Sequence, residues 1–299
     1  VTRQFQQYIH EPYNPFSPAA NNTDEIYCEN NGNVYVTTSE AGLILFNVKK
    51  YSAVTVPFFK DAGNRLYDNY VNQIVKDNRN RIWLAAFDHL IEWDPTINAS
   101  RFYHYPYLVK GVGQRNIEIK TICIDQHGKL WAGSRGAGLG VLDFATGKFK
   151  IYNNVYSGKD PVYRHNYIYY LMPDKEGWIW VGSRQGVYKI HTVSRQIDLL
   201  TNHPCSQLLG KKVNIIYQDR NNRIWFGTSS NGAWCWNPAT NSIKNYTVAQ
   251  KLPSDNCLAF LESKNGNMFI GTSKGLSILR SDSIIRNLRS ADGLRGERC

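Results

Sequence analysis

The chain says one short thing six times: a run of β-formers, a polar turn, an aromatic strand, then Gly-Leu or a close variant opening another strand. The turns are Glu29-Asn-Asn-Gly32, Asp77-Asn-Arg-Asn80, Asp125-Gln-His-Gly128, Asp174-Lys-Glu-Gly177, Asp219-Arg-Asn-Asn222 and Ser263-Lys-Asn-Gly266. Their fourth position holds only Gly or Asn, the residues that tolerate positive φ, so hairpin geometry rather than a chemical motif is expected to set the register. An aromatic follows each turn, at Tyr35, Trp83, Trp131, Trp180, Trp225 and Phe269.

Those aromatics recur every 44 to 49 residues, which suits one four-stranded propeller blade. Segments such as Ile82-Trp-Leu-Ala85 and Trp178-Ile-Trp-Val-Gly182 are apolar on both faces, as expected of a sheet sandwiched between neighbouring sheets. Asp94-Pro-Thr-Ile-Asn98, Asp143-Phe-Ala-Thr-Gly147 and Asn237-Pro-Ala-Thr-Asn241 read as the turns between the third and fourth strands of a blade. The expectation is an all-β propeller over 1–299 as a single domain truncated at both ends, with blades near 24–59, 71–105, 119–153, 168–201, 213–248 and 257–290. Residues 2–9 resemble the outer strand of a further, closing blade. Seven blades at a mean of about 47 residues need about 30 more than the 299 present, so the count favours a seven-bladed ring completed by sequence beyond the chain. A six-bladed ring is the alternative, in which residues 2–9 and 284–288 compete for one edge.

Strand direction alternates within a blade, so the first-to-second and third-to-fourth turns share one face, and the second-to-third turns and interblade connections share the other. Short scaffold turns mark the first face. Long irregular loops (60–70, 106–118, 154–167, 202–212 and 249–256) mark the second, where binding is expected. Arg115, Arg135, Tyr163, Arg164, His165 and Arg184 are the candidate ligand-binding residues, because Arg forks suit carboxylate or sulfate and aromatic faces stack on rings. A net charge of +11 favours an anionic partner by long-range attraction. Nucleic acid is not expected, since no RNA-binding signature, zinc finger or basic helix accompanies the charge.

Catalytic motifs are missing. Gly136-Ala-Gly-Leu-Gly140 imitates a nucleotide-binding fingerprint but precedes a strand instead of opening a helix, so it reads as a turn. None of the seven His has metal-ligand spacing with another, and neither a metal site nor a cofactor is expected. The six Cys are far apart, four of them within strand patterns, and are expected to be reduced thiols. No apolar run approaches a membrane span.

Trp131-Ala-Gly-Ser with Gly138-Leu139, Trp180-Val-Gly-Ser with Gly186-Val187, Trp225-Phe-Gly-Thr with Gly232, and Phe269-Ile-Gly-Thr-Ser-Lys-Gly275-Leu276 resemble the two-component regulator propeller repeat. Ala85-Ala86, Thr37-Thr38 and Ala233 depart from it. The resemblance implies the periplasmic sensor region of a hybrid two-component histidine kinase and response regulator, and most of the second of two seven-bladed propellers. It further implies a membrane-anchored whole, complex glycan ligands, and neighbouring propeller and β-sandwich domains, with homodimerisation as a further partner expectation. An acidic oligosaccharide would suit the loop residues, and this region would not itself be an enzyme. Two alternatives remain open at this point: a propeller lyase similar to the streptogramin lyases, with His165 as base, and a protein-docking platform.

Overall fold

All six polar turns close tight hairpins in the computed structural model, which describes residues 8–29, 31–56, 59–61, 64–65, 70–106, 118–152 and 167–294. Gly32, Asn80, Gly128, Gly177, Asn222 and Gly266 take φ between +61° and +91°, the left-handed region that Gly and Asn enter at little cost. Hairpin geometry is only half of the motif. In four turns the opening Asp caps the turn with one carboxylate oxygen and uses the other to accept the indole N–H of the Trp six residues on. These are Asp77 with Trp83 at 3.1 Å, and Asp125 with Trp131, Asp174 with Trp180 and Asp219 with Trp225, each at 2.9 Å. Where the aromatic is Tyr35 or Phe269, with no indole, the turn opens on Glu29 or Ser263. The repeat is therefore also a chemical motif: it buries an indole whose N–H must find an acceptor.

The described residues build six antiparallel four-stranded sheets, each paired in chain order, and a short hairpin between Phe59–Asp61 and Asn64–Arg65. The architecture is an all-β propeller. Six blades correspond to the alternative count, not to the seven-bladed ring that length arithmetic favoured. That arithmetic needed a strand from the N-terminus, but Tyr8 and Ile9 form none and residues 1–7 lie outside the described residues. The Tyr8 ring instead packs 4.7 Å from Phe46 and 6.0 Å from Tyr51.

Three sheets belong to a compact unit spanning Gln7–Asn154, and three to a second unit formed by Val155–Cys299 with Val1–Gln6. In each unit apolar side chains fill the space between successive sheets. Trp83, Tyr105, Ile119 and Ile122 form one such cluster, and Trp180, Val213, Ile216 and Phe226 another. Ile26 of the first sheet is 59% exposed and Leu261 of the last is 64% exposed. Ile74, Ile122, Ile216 and Phe260, which match Ile26 in register, are all buried, because each packs against the preceding sheet of its own unit.

The glycine run at 136–140 is a turn and strand start. Gly136 and Gly138 have φ of +113° and +79°, and the Gly138 carbonyl accepts from the buried Tyr105 hydroxyl at 3.1 Å. A Cβ on Gly140 would stand 2.8 Å from that hydroxyl oxygen and 2.9 Å from the Ile151 side chain. Gly140→Ala is expected to cost about 1–3 kcal/mol through overpacking, measured by urea denaturation. A change below about 0.5 kcal/mol would show that Tyr105 has room to retreat.

Candidate functional site

The second-to-third-strand turns are locked by a hydroxyl at or next to the end of the second strand. Thr38, Ser134, Ser183, Thr228 and Thr272 each donate a hydroxyl to the carbonyl of the glycine that follows the turn, at 2.7–3.2 Å. This explains the repeated Gly-Thr and Gly-Ser: they fix the turns of the loop face. The second sheet, with Ala86 at that position, has no such hydroxyl.

A second regularity sits on the same face. In every sheet the pairing of the first two strands slips by one residue near its start, inserting Asp24, Asn72, Lys120, Tyr169, Asn214 or Leu258 as the extra residue of a bulge. Bulges re-aim side chains beside binding sites. Within each unit the leading strands of successive sheets lie against one another, so the bulge residues gather.

In the Gln7–Asn154 unit they gather into a charge-matched network. Lys120 donates to Asn72 Oδ1 at 2.6 Å and lies 3.7 Å from both Asp24 and Glu118. Arg135 donates to Glu118 Oε2 at 2.7 Å, and the Tyr70 hydroxyl donates to Glu118 Oε1 at 3.3 Å. Burial, with the Glu118 charge beside it, pushes the Tyr70 phenol up to about 12. Glu25 accepts from the Ile74 backbone N–H at 2.8 Å and from Gln73 at 3.3 Å. Burial outweighs these bonds and the nearby Lys120, raising its carboxyl to about 7.

The Val155–Cys299 unit is arranged differently. Its cations ride on aromatic rings: Lys212 Nζ is 4.2 Å from the centroid of Tyr169, Arg184 Cζ is 5.7 Å from that of Tyr167, and Lys211 Nζ is 5.7 Å from that of Trp234. Ser229 donates to Asn214 at 2.9 Å, Ser254 and Ser273 are bonded at 2.9 Å, and Asp255 Oδ1 accepts the Val248 N–H at 2.8 Å. Among the described residues no carboxylate forms an ion pair with Arg184, Lys211 or Lys274. Cations stacked on aromatic rings, with Arg184 and Lys211 unpaired with any carboxylate among the described residues, suit an anion that also presents apolar ring surface.

Of the residues expected from sequence, Arg135 is half-buried and held by Glu118, while Arg184 is exposed and cation-bearing on the loop face. They belong to different units. Arg115, Tyr163, Arg164 and His165 lie outside the described residues. Sequence reasoning missed Tyr169, because a bulge breaks the alternation by which an outward side chain is recognised, and Glu118 and Lys212, because their partners are distant in sequence. It also missed a cluster in the second sheet. His89 and His104 pair directly across the third and fourth strands, His89–Asp94 and Ala99–His104, with ring centroids 5.1 Å apart. The His89 imidazole Nδ1 is hydrogen-bonded to Asp88 Oδ1, and His104 Nδ1 is 3.9 Å from Asp88 Oδ2. Burial opposes ionisation of Asp88, but the hydrogen bond and charge of His89, with His104 beyond, hold its carboxyl below the usual range.

Residues 163–185 and 207–230 match the two-component regulator propeller family model. No curated protein matches the chain. Among solved structures, the fold is similar to the extracellular domain of a B. thetaiotaomicron protein described as a one component system, BT4673 (TM-score 0.67, 21% identity, 90% of this chain and 37% of that one). It is similar also to the extracellular domain of a B. thetaiotaomicron hybrid two component system, BT3049 (TM-score 0.52, 16% identity, 99% and 55%). Virginiamycin B lyase from Staphylococcus aureus shares the fold as well (TM-score 0.66, 14% identity, 91% and 86%). The chain thus spans 37% and 55% of the two extracellular domains it matches. No helix of the described residues is long and apolar enough to cross a membrane.

Proposed function

We propose that this chain, which carries two-component regulator propeller repeats at 163–185 and 207–230, is a ligand-sensing propeller of a two-component signalling protein and recognises an acidic oligosaccharide. The observation that carries the ligand class is the contrast between the units. Cations are matched by carboxylates around Lys120 and Arg135, but ride on tyrosine and tryptophan rings around Lys212, Arg184 and Lys211. An anionic sugar gains charge-assisted hydrogen bonds at Arg184 and Lys211, which form no ion pair with a carboxylate among the described residues. Support for the sensor reading comes from the extracellular domains that share the fold, and the same likeness favours placement outside the cytoplasm as part of a larger, membrane-anchored protein. Binding signals by favouring one arrangement of the chain against its neighbouring domains, which requires different ligand affinity in the two arrangements. The likeness to virginiamycin B lyase is one of fold, and a shared fold does not carry a reaction with it.

Isothermal titration with uronate-bearing and neutral oligosaccharides of equal length tests the reading. Uronates are expected to bind and to weaken with salt, and Arg184→Ala and Lys212→Ala are each expected to lose about tenfold in affinity, or about 1.4 kcal/mol. Arg135→Ala, whose guanidinium is already held by Glu118, is expected to change affinity less. Equal binding of neutral and acidic sugars, or binding indifferent to both cations, would refute it.

A further inference from the structure

The second sheet departs from the other five at one place. Where they carry Ser or Thr at or next to the end of the second strand it has Ala86, and where they carry Gly42, Gly138, Gly186, Gly232 or Gly275 at or just before the start of the third it has His89. The usual lock of hydroxyl on glycine carbonyl is absent here, and the turn is held by backbone instead. Tyr105 N–H donates to the Asp88 carbonyl at 3.1 Å, and Ile119 N–H to the Phe87 carbonyl at 2.7 Å. Into this anchored turn the fold brings three donors of metal-ligating type: Asp88 from the turn, His89 at the start of the third strand, and His104 at the end of the fourth. One ligand atom from each lies within 4.8 Å of the other two.

We propose that Asp88, His89 and His104 bind a divalent transition metal, with zinc the best match. Two imidazole nitrogens and one carboxylate are a borderline-soft donor set that selects zinc-type ions over calcium or magnesium, which take oxygen. Donor atoms about 2.0–2.2 Å from a tetrahedral ion stand about 3.4 Å apart, so the widest separation here closes by little more than about 1 Å on metal entry. The ligands are graded in exposure: His89 is buried, Asp88 half-buried and His104 exposed. The ion would therefore sit at the rim of the loop face, fixed from beneath and open from above. Three protein ligands leave a fourth position for water or for an oxygen of a bound molecule. A simple turn lock explains Asp88 against His89, but does not require a second imidazole directly opposite. This site is independent of the oligosaccharide reading, whose residues lie in the other unit.

The test is titration of Zn²⁺ into the chelator-stripped chain by calorimetry, with Co²⁺ substitution followed by visible absorption. One ion per chain is expected, with a tetrahedral-type Co²⁺ spectrum. His104→Ala, at an exposed position that leaves folding intact by circular dichroism, is expected to weaken Zn²⁺ by about tenfold or more, and Asp88→Asn likewise. Cys28→Ser, which removes the exposed thiol among the described residues, is expected to leave affinity unchanged. The proposal is overturned if the stripped chain binds no Zn²⁺ at micromolar concentration, if His104→Ala and Asp88→Asn both bind as the parent does, or if affinity follows Cys28 instead.

Discussion

Asp219→Ala is expected to destabilise the chain by about 3–5 kcal/mol, a cost typical of breaking a fully buried charge network. The Asp219 side chain has no exposure, and each of its oxygens is used twice. Oδ1 accepts the backbone N–H groups of Asn221 and Arg223 at 3.0 and 2.9 Å; Oδ2 accepts the Trp225 indole at 2.9 Å and Arg223 Nε at 2.7 Å. Removing it strands an indole N–H in the core and two turn amides, each a desolvated donor worth about 1–3 kcal/mol when unsatisfied. Arg223 keeps a partner in Asp282 at 2.6 Å, which limits the loss. Ser263→Ala in the sixth sheet is the control. Ser263 Oγ accepts the Asn267 N–H at 3.1 Å, but the aromatic there is Phe269, so the cost is expected near 1 kcal/mol. Urea denaturation measures both. An Asp219→Ala loss below about 1 kcal/mol would mean the indole finds another acceptor, and a double-mutant cycle with Trp225→Phe would then show no coupling.

Glu25→Gln is expected to flatten the pH dependence of stability between pH 4.5 and 7 and to stabilise the chain above it. The folded carboxyl titrates near 7 against an ordinary value of 4.5, so between those values the folded chain holds a proton that the unfolded chain has released. Stability contributed by the raised value is therefore full below pH 4.5 and lost as pH rises through 7. The span corresponds to about 3 kcal/mol. The substitution has a precedent inside the molecule. Gln73 occupies the same position in the next sheet and accepts the Ile122 N–H at 2.6 Å, as Glu25 accepts that of Ile74. Gln at 25 keeps the acceptor and removes the charge. Thermal unfolding from pH 4 to 8 is the measurement, and an unchanged slope for Glu25→Gln would assign the pH dependence to other groups.

The fold was legible where local geometry and burial both spoke. Positive φ at Gly32, Asn80, Gly128, Gly177, Asn222 and Gly266 follows from residue type alone, and the apolar two-faced strands after them announce stacked sheets. The number of blades was not legible, since dividing length by a mean repeat cannot tell a strand from a coil at Tyr8 and Ile9. The site was legible only as a face. Arg184 was found because it stands in a turn of that face. Lys212 and Tyr169 were not, because their importance rests on a ring 4.2 Å from an ammonium 43 residues away.

What the sequence determined by itself is the scaffold: a six-times-repeated hairpin, in four copies of which Asp and Trp co-occur because a buried indole needs an acceptor. Only the tertiary structure decided which charges are already spent and which side chains meet. Arg135 faces Glu118 from 17 residues away, and His104 faces His89 from 15, distances at which sequence spacing carries no information. Strand pairing brings such residues together through backbone hydrogen bonds that are indifferent to side-chain identity, so the scaffold can be read in the repeat while the chemistry it juxtaposes cannot.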